Sequence, residues 1–381
     1  MKKILTILTV VSFSLGTLFA SGTSETSDSK SSNNDNEKIT IGVSTWGIND
    51  SLGSQCKGIL DAAAEALGVN VTYIEQSHKS EQVVASVENL CASGVDGIVI
   101  CNSADAEMAR CIPIAQKNKV YIAQFFRVIG DPEINEMAKQ SSYYLGCTHE
   151  DETTNGYNLG KILLEEKGSR NIGITSYRVG DATANARIVG YRKAVEEWNK
   201  ANSNDQATLM NVVDDKYTAE EARQAVEGII DSTPNIDGLI VVGGGGQALV
   251  GSLAAIKAKG MVGKIAVAST DFTTNLGQQL KNKEIAAMSG GHYADPLFSF
   301  MMVYNAIKGN YVRPDDSYFE VIFPMLYVAS PEDYSVFDEY FVKSLPYTTQ
   351  ELKDMSNGSF EELKATAANL SIQDVKQRHA K

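Results

Sequence analysis

The sequence predicts an α/β protein built as two parallel-sheet lobes that face each other across a cleft. Two observations carry that prediction. First, a phrase occurs twice: IGVST at 41–45 is followed by GVDGIVIC at 94–101, and IGITS at 172–176 by NIDGLIVV at 235–242. Second, an amphipathic helical stretch separates the two runs of each copy. Short Val- and Ile-rich runs alternating with helical patterns describe βαβ units, and a parallel sheet buried on both faces reads as such continuous apolar runs. Two copies imply two similar lobes rather than one large sheet. Ligands bind such sheets at the carboxyl ends of the strands, so the repeat points to a cleft.

The elements follow in order. Strand 39–45 leads to a helix over 52–67, where CKGILDAAAEAL is apolar every three or four residues. Strand 69–74, helix 80–92, strand 97–101, helix 105–117 and strand 120–126 come next. A loop containing Asp131-Pro132 leads to YYLGCT at 143–148, and DETTNGYNLGKILLEEK at 151–167 reads as a turn opening a helix. The second lobe repeats the order with strand 171–176, helix 184–200 and strand 208–213. A helix then opens at Thr218, where Glu221 three residues later completes a capping box. Strand 238–242, helix 247–259, strand 264–269, helix 274–282 and strand 285–289 complete the lobe.

An additional helical stretch, LFSFMMVYNAIKG, and a late strand, YFEVIFPMLYVAS, follow. They imply that the chain returns to the first lobe, and several crossings at one junction make a hinge. The expected organisation is a first lobe of 38–149 plus 291–322 and a second of 150–290 plus 323–330. A helical C-terminal extension of 331–381 follows. Pro331 after Ser330, Thr348 with Glu351 and Ser359 with Glu362 mark three short helices there, expected on the outside.

The ends bound the compartment. Lys2 and Lys3 precede an apolar stretch from Ile4 to Phe19, and Ala20-Ser21-Gly22 offers small residues at cleavage spacing. That is the pattern of a signal peptide over 1–22, with an apolar core too short for a membrane span. Residues 23–37 carry almost no apolar side chains and read as a disordered tether. No Cys precedes Cys56, so no lipid anchor is expected and the periplasm is the expected compartment. The mature protein from its native cell should therefore show an intact mass lacking about the first 20–22 residues. A retained Met1 would contradict this.

With 34 Lys and Arg against 47 Asp and Glu, the net charge is −13. That argues against nucleic acid and anionic membranes as partners, because both need clustered cations. Cys56, Cys91, Cys101, Cys111 and Cys147 contain no CxxC pair. They read as buried small hydrophobes, with one disulfide open and no metal site expected.

Taken in order, several phrases resemble the type I periplasmic sugar-binding proteins of ABC importers, the ribose- and galactose-binding group, over Lys38 to Ala329. IGVST with Trp46 is similar to the first strand and its ligand loop, which includes Asn49. GIVICNSAD resembles the strand ending in a ligand-binding Asn, here Asn102. DETTNGYNLGKIL resembles the first crossover. GDATANARIVGYRKAV would carry a sugar-binding Arg, here Arg187; VVDDKYTAEEA a stacking ring, here Tyr217; and IAVASTDF a carboxylate, here Asp271. The resemblance implies a solute-binding protein, not an enzyme. It would act as a monomer without cofactor, handing a small sugar-like ligand to a permease. Asp, Asn and Arg would supply charge-assisted hydrogen bonds and aromatic rings the apolar contact.

The chain also departs from that pattern. Phe125 and Phe126 stand where the family has an Asp-Arg pair, with Arg127 one step on. Gly244 replaces an Asn, and Gly291 beside His292 replaces a polar residue. A ligand with more apolar surface than ribose or galactose would suit these changes.

Each candidate has a plain structural reading as well. Trp46 can be core, Arg187 can pair with a carboxylate, and Asp271 can cap helix 274–282. Only one of Phe125 and Phe126 can enter the cleft, since neighbours on a strand face opposite ways. His292 reads as a hydrogen-bonding cleft or hinge residue rather than a metal ligand. A sensory binding protein of the same fold, serving a chemoreceptor or sensor kinase, is the main alternative. A dinucleotide-binding enzyme is a minor one: Gly243 to Ala248 fits GxGxxA, but the acidic residue due about 20 positions later is absent.

Overall fold

The computed structural model describes residues 38–380, apart from 78, 178–180, 215, 217, 244 and 245. The expected signal peptide and tether, and Tyr217, lie outside the described residues. Strands β1 (Thr40–Thr45), β2 (Asn70–Glu75), β3 (Gly97–Ile100), β4 (Tyr121–Phe125) and β5 (Tyr144–Glu150) alternate with helices in the first lobe. The second lobe holds β6 (Asn171–Thr175), β7 (Thr208–Leu209), β8 (Gly238–Val241), β9 (Ala266–Thr270) and β10 (Ala287–Gly290). Two late strands, β11 (Phe319–Phe323) and β12 (Leu326–Val328), complete the set. One sheet runs β11-β5-β4-β3-β1-β2 and the other β12-β10-β9-β8-β6-β7. All pairs are parallel except β10 with β12. Central strands such as β3 and β8 are buried along their whole length, as helices on both faces require.

The chain passes from one lobe's sheet to the other's three times: after β5, after β10 and between β11 and β12. Helix Asp295–Ile307 packs on the first sheet, and its inward residues Phe298, Phe300 and Met301 are wholly buried. Gly291, with φ +76°, turns the chain at the second crossing; a side chain there would also strike Leu326. Pro324 stands between β11 and β12. Lacking an N–H, it cannot extend a ladder, so the single late strand expected over 318–330 divides between the two sheets.

Three further expectations need correction. The segment after Asp131-Pro132 is a helix, Pro132–Gln140, rather than a loop. Asp131 caps it by accepting from the amides of Glu133 and Ile134, and Pro132 occupies its first turn. The strand expected over 208–213 pairs regularly only at Thr208–Leu209 and again as a bridge at Val213, because as an edge strand it has one partner to hold its register.

The C-terminal extension has four helices, Pro331–Phe337, Thr349–Met355, Phe360–Ala368 and Ile372–His379, with a π-helical turn at Asp338–Val342. It is not merely an outer layer. Phe337 meets Phe272 of the second lobe with ring centroids 4.6 Å apart. Tyr293 donates a buried hydrogen bond to the Phe341 carbonyl, and Tyr347 packs on Phe298 of the first lobe. The extension thus shares the core with both lobes. The capping boxes at Thr218, Thr348 and Ser359 all form. All five cysteines are free thiols, four of them buried.

Candidate functional site

The carboxyl ends of both sheets open onto one cavity of about 430 Å³. That is within the usual range for a small-molecule site, roughly 300–1,000 Å³. Its wall is drawn from the residues that follow the strands: Trp46 after β1, Asn102 after β3, Phe126 and Arg127 after β4, and Glu150 and Glu152 at the end of β5. From the second lobe come Tyr177 after β6, Lys216 after β7, Gly243 after β8, Asp271 after β9 and His292 after β10, with Arg187 on the helix Ala182–Ala201.

Trp46, Asn102, Phe126, Arg187, Asp271 and His292 are therefore brought together, as the sequence suggests. Asn49 is exposed and Phe125 fully buried, and neither lines the cavity. Phe125 packs beneath, against Trp46 and Phe126, and so supports the two rings that do. The strand alternation allowed only one of the pair to enter, and it is Phe126.

The aromatic side is a continuous cluster. Trp46 has its indole N–H fixed by Asp50 at 2.7 Å, which leaves the ring faces for contact. Phe126 stands 5.9 Å from Trp46 and meets His292 edge-on at 5.1 Å. Phe126 adopts φ +59°, an unusual conformation for a large side chain, and its amide donates to Asp295 at 3.2 Å. The ring is aimed by that turn.

The polar side is built on a buried ion pair. Arg187 donates to both oxygens of Glu152, at 2.5 and 2.7 Å, and to the Val242 carbonyl at 3.1 Å. Glycines bring the two partners together. A Cβ on Gly156 would stand 2.0 Å from the Arg187 carbonyl, and one on Gly190 would stand 2.1 Å from that of Thr153. The helices Glu152–Lys161 and Ala182–Ala201 therefore touch backbone to backbone. This gives the NGYNLG phrase a packing reason. Asn102 is buried, accepting from Gln124 at 2.6 Å and donating to the Ala104 carbonyl, so part of its capacity serves the protein itself. Asp271 adopts φ +66°, does not cap the next helix, and lies 3.4 Å from His292 Nε2. Burial lowers the His292 pKa, with Asp271 pulling the other way, so the ring is neutral.

Sequence reasoning missed Glu150, Glu152, Tyr177 and Lys216, and placed Arg127 only as one step beyond the family's Asp-Arg pair. Glu150 and Asp295 flank two of the crossings and are buried together. Burial, then the charge of Glu152, pushes Glu150 up to about 8, and burial followed by Glu150 raises Asp295 well above the carboxylate range. No periodicity marks such a pair, because its members lie far apart in the chain. Tyr177 explains the first glycine of GGGGQA: its ring lies where a Cβ of Gly243 would be, 2.5 Å away. A packing role thus accounts for that glycine without a pyrophosphate.

The comparisons agree with this fold. A periplasmic binding protein domain matches residues 41–309. The ABC transporter periplasmic-binding protein YphF of Escherichia coli (strain K12) is 25% identical over 231 residues, 60% of this chain and 67% of its own. A sugar-binding protein of a Bacillus halodurans sugar ABC transporter superposes with a TM-score of 0.67 at 17% identity, covering 78% of this chain and 99% of that one. A periplasmic solute binding protein from Actinobacillus succinogenes 130z, solved with bound D-allose, gives 0.65 at 19% identity, covering 77% and 98%. These two structures share the fold. On the match over residues 41–309, the chain belongs to the periplasmic binding protein domain family.

Proposed function

We propose that this protein captures a small polar solute, a sugar or sugar derivative, between its lobes and delivers it to the permease of an ABC importer. The observation that carries the reading is the cavity at the strand ends, lined from both lobes by hydrogen-bonding groups and by the faces of Trp46 and Phe126. A sugar needs both: hydroxyls that donate and accept, and C–H faces that seek apolar contact. Support comes from the D-allose held by one structural neighbour and from the transport names of the relatives. The three crossings are the hinge of the proposed lobes, whose closure around ligand is the motion of periplasmic binding proteins. Export to the periplasm fits the family, and among the described residues no helix is long and apolar enough to cross a membrane.

A thermal-shift screen of monosaccharides, polyols, nucleosides and amino acids tests the reading. A ligand at 100 times its Kd should stabilise by about 2.7 kcal/mol. The hit should also reduce the radius of gyration in solution scattering. A saturating ligand that leaves the scattering profile unchanged would count against closure, and a screen in which only amino acids or nucleosides bind would count against a sugar.

A further inference from the structure

The cavity wall pairs its charges unevenly. Arg187 and Glu152 neutralise each other at 2.5 Å. His292 is neutral, and Glu150, raised by burial, holds a proton at neutral pH. Among the described wall residues Asp271 is then the remaining negative charge, with 38% of its side chain exposed. Against it stand two cations. Arg127 donates to the Phe126 carbonyl at 2.7 Å, and among the described residues neither Arg127 nor Lys216 has a carboxylate at ion-pair distance. Glu150 and, more weakly, Asp181 act on Arg127 without an ion-pair contact. Asp181 is engaged elsewhere, accepting from Tyr177 and capping the helix Ala182–Ala201. In a chain of net charge −13, the wall of this cavity thus holds two cations without an ion-pair partner among the described residues.

Two features give these cations a direction. Arg127 follows β4 and Lys216 follows β7, so the two cations come from opposite lobes. The helix Gln247–Ala258 also starts at the wall, with Gly246 as its cap residue and, among the described residues, no side chain bonding its first amides. Its positive end adds to the same field.

We propose that the ligand is a monosaccharide bearing one negatively charged group, and that Arg127 and Lys216 engage that group from the two lobes. This rests on the sugar reading above and deepens it. An anion held from both sides links the two lobes, so closure and charge recognition become one event. A neutral sugar would leave both cations desolvated in the closed cleft without compensation, which penalises it.

Calorimetry on the mature chain with matched probes decides the matter. The neutral set is D-glucose, D-galactose and D-allose. The carboxylate set is D-glucuronate, D-galacturonate and D-gluconate, and the phosphate set is D-glucose 6-phosphate and D-galactose 6-phosphate. At least one anionic probe should bind about tenfold or more tightly than its neutral counterpart, with affinity falling as salt rises. Whether the carboxylates or the phosphates prevail identifies the anion. In Arg127→Gln and Lys216→Gln, each checked for an intact melting transition, the anionic-over-neutral ratio should fall towards one. The salt dependence of the wild type gives a readout that needs no variant. Neutral probes binding as well as their anionic counterparts would overturn the charge inference and leave the sugar reading standing. No binding by any of the three sets would overturn both.

Discussion

Replacing Arg187 with Ala is expected to lower both the melting temperature and the ligand affinity. The guanidinium is 8% exposed and its partner Glu152 15% exposed, and their two hydrogen bonds are the short, charge-assisted kind. Removing one member strands the other where water is scarce, which typically costs about 3–5 kcal/mol. From the sequence alone, an Arg near a helix start contributes little to stability, so a loss of binding with an untouched fold is the natural expectation. The partner on the crossover helix corrects that. Arg187→Met combined with Glu152→Gln should regain much of the lost stability, because neither side then carries a buried charge, while the affinity stays low. Melting and calorimetry of the three variants check this. A single variant that melts with the wild type would contradict the ion pair's role, and unchanged affinity would contradict its place in the site.

Changing Glu150 to Gln should stabilise the protein at pH 8 and matter little below pH 5. In the folded state burial raises the Glu150 pKa to about 8, whereas the unfolded chain titrates near the ordinary value of 4.5. Between those values the folded state binds more protons than the unfolded one, so stability falls as pH rises through this window. Above it the full penalty of ionising a buried carboxyl applies, on the order of 3–5 kcal/mol. The amide has nothing to ionise. Asp295, raised by its own burial, retains part of the slope, so the variant's profile flattens rather than becoming level. Urea melts from pH 5 to 9 check this, and parallel profiles for wild type and variant would sink it. Because Glu150 lines the cavity at the first crossing, ligand affinity should weaken as pH rises through about 8, where the folded protein's Glu150 ionises.

The candidate site was legible where residues follow strands. Trp46, Asn102, Phe126, Asp271 and His292 each come just after a strand, and in a parallel sheet that position faces the cleft. Arg187 was found through its helix phrase. Lys216 and Tyr177 also follow strands, but no feature of their neighbours set them apart. Glu150, Glu152 and Asp295 were illegible for a different reason. Their behaviour comes from burial and mutual charge, and both are properties of the chain's crossings rather than of any local pattern.

The alternation of apolar runs with amphipathic helices determined the two sheets, their parallel strands and the cleft between them, because buried parallel strands and their covering helices have distinct periods. The capping boxes were equally local and formed as read. What only the tertiary structure decided were the long-range partnerships. Pro324 hands the late strand from one sheet to the other, Gly156 and Gly190 let Glu152 reach Arg187, and the C-terminal extension enters the core of both lobes through Phe337, Phe341 and Tyr347. Local periodicity records which face of an element is apolar. Which face of another element covers it is settled only when the whole chain packs, since that choice minimises voids and unpaired polar groups across the molecule at once.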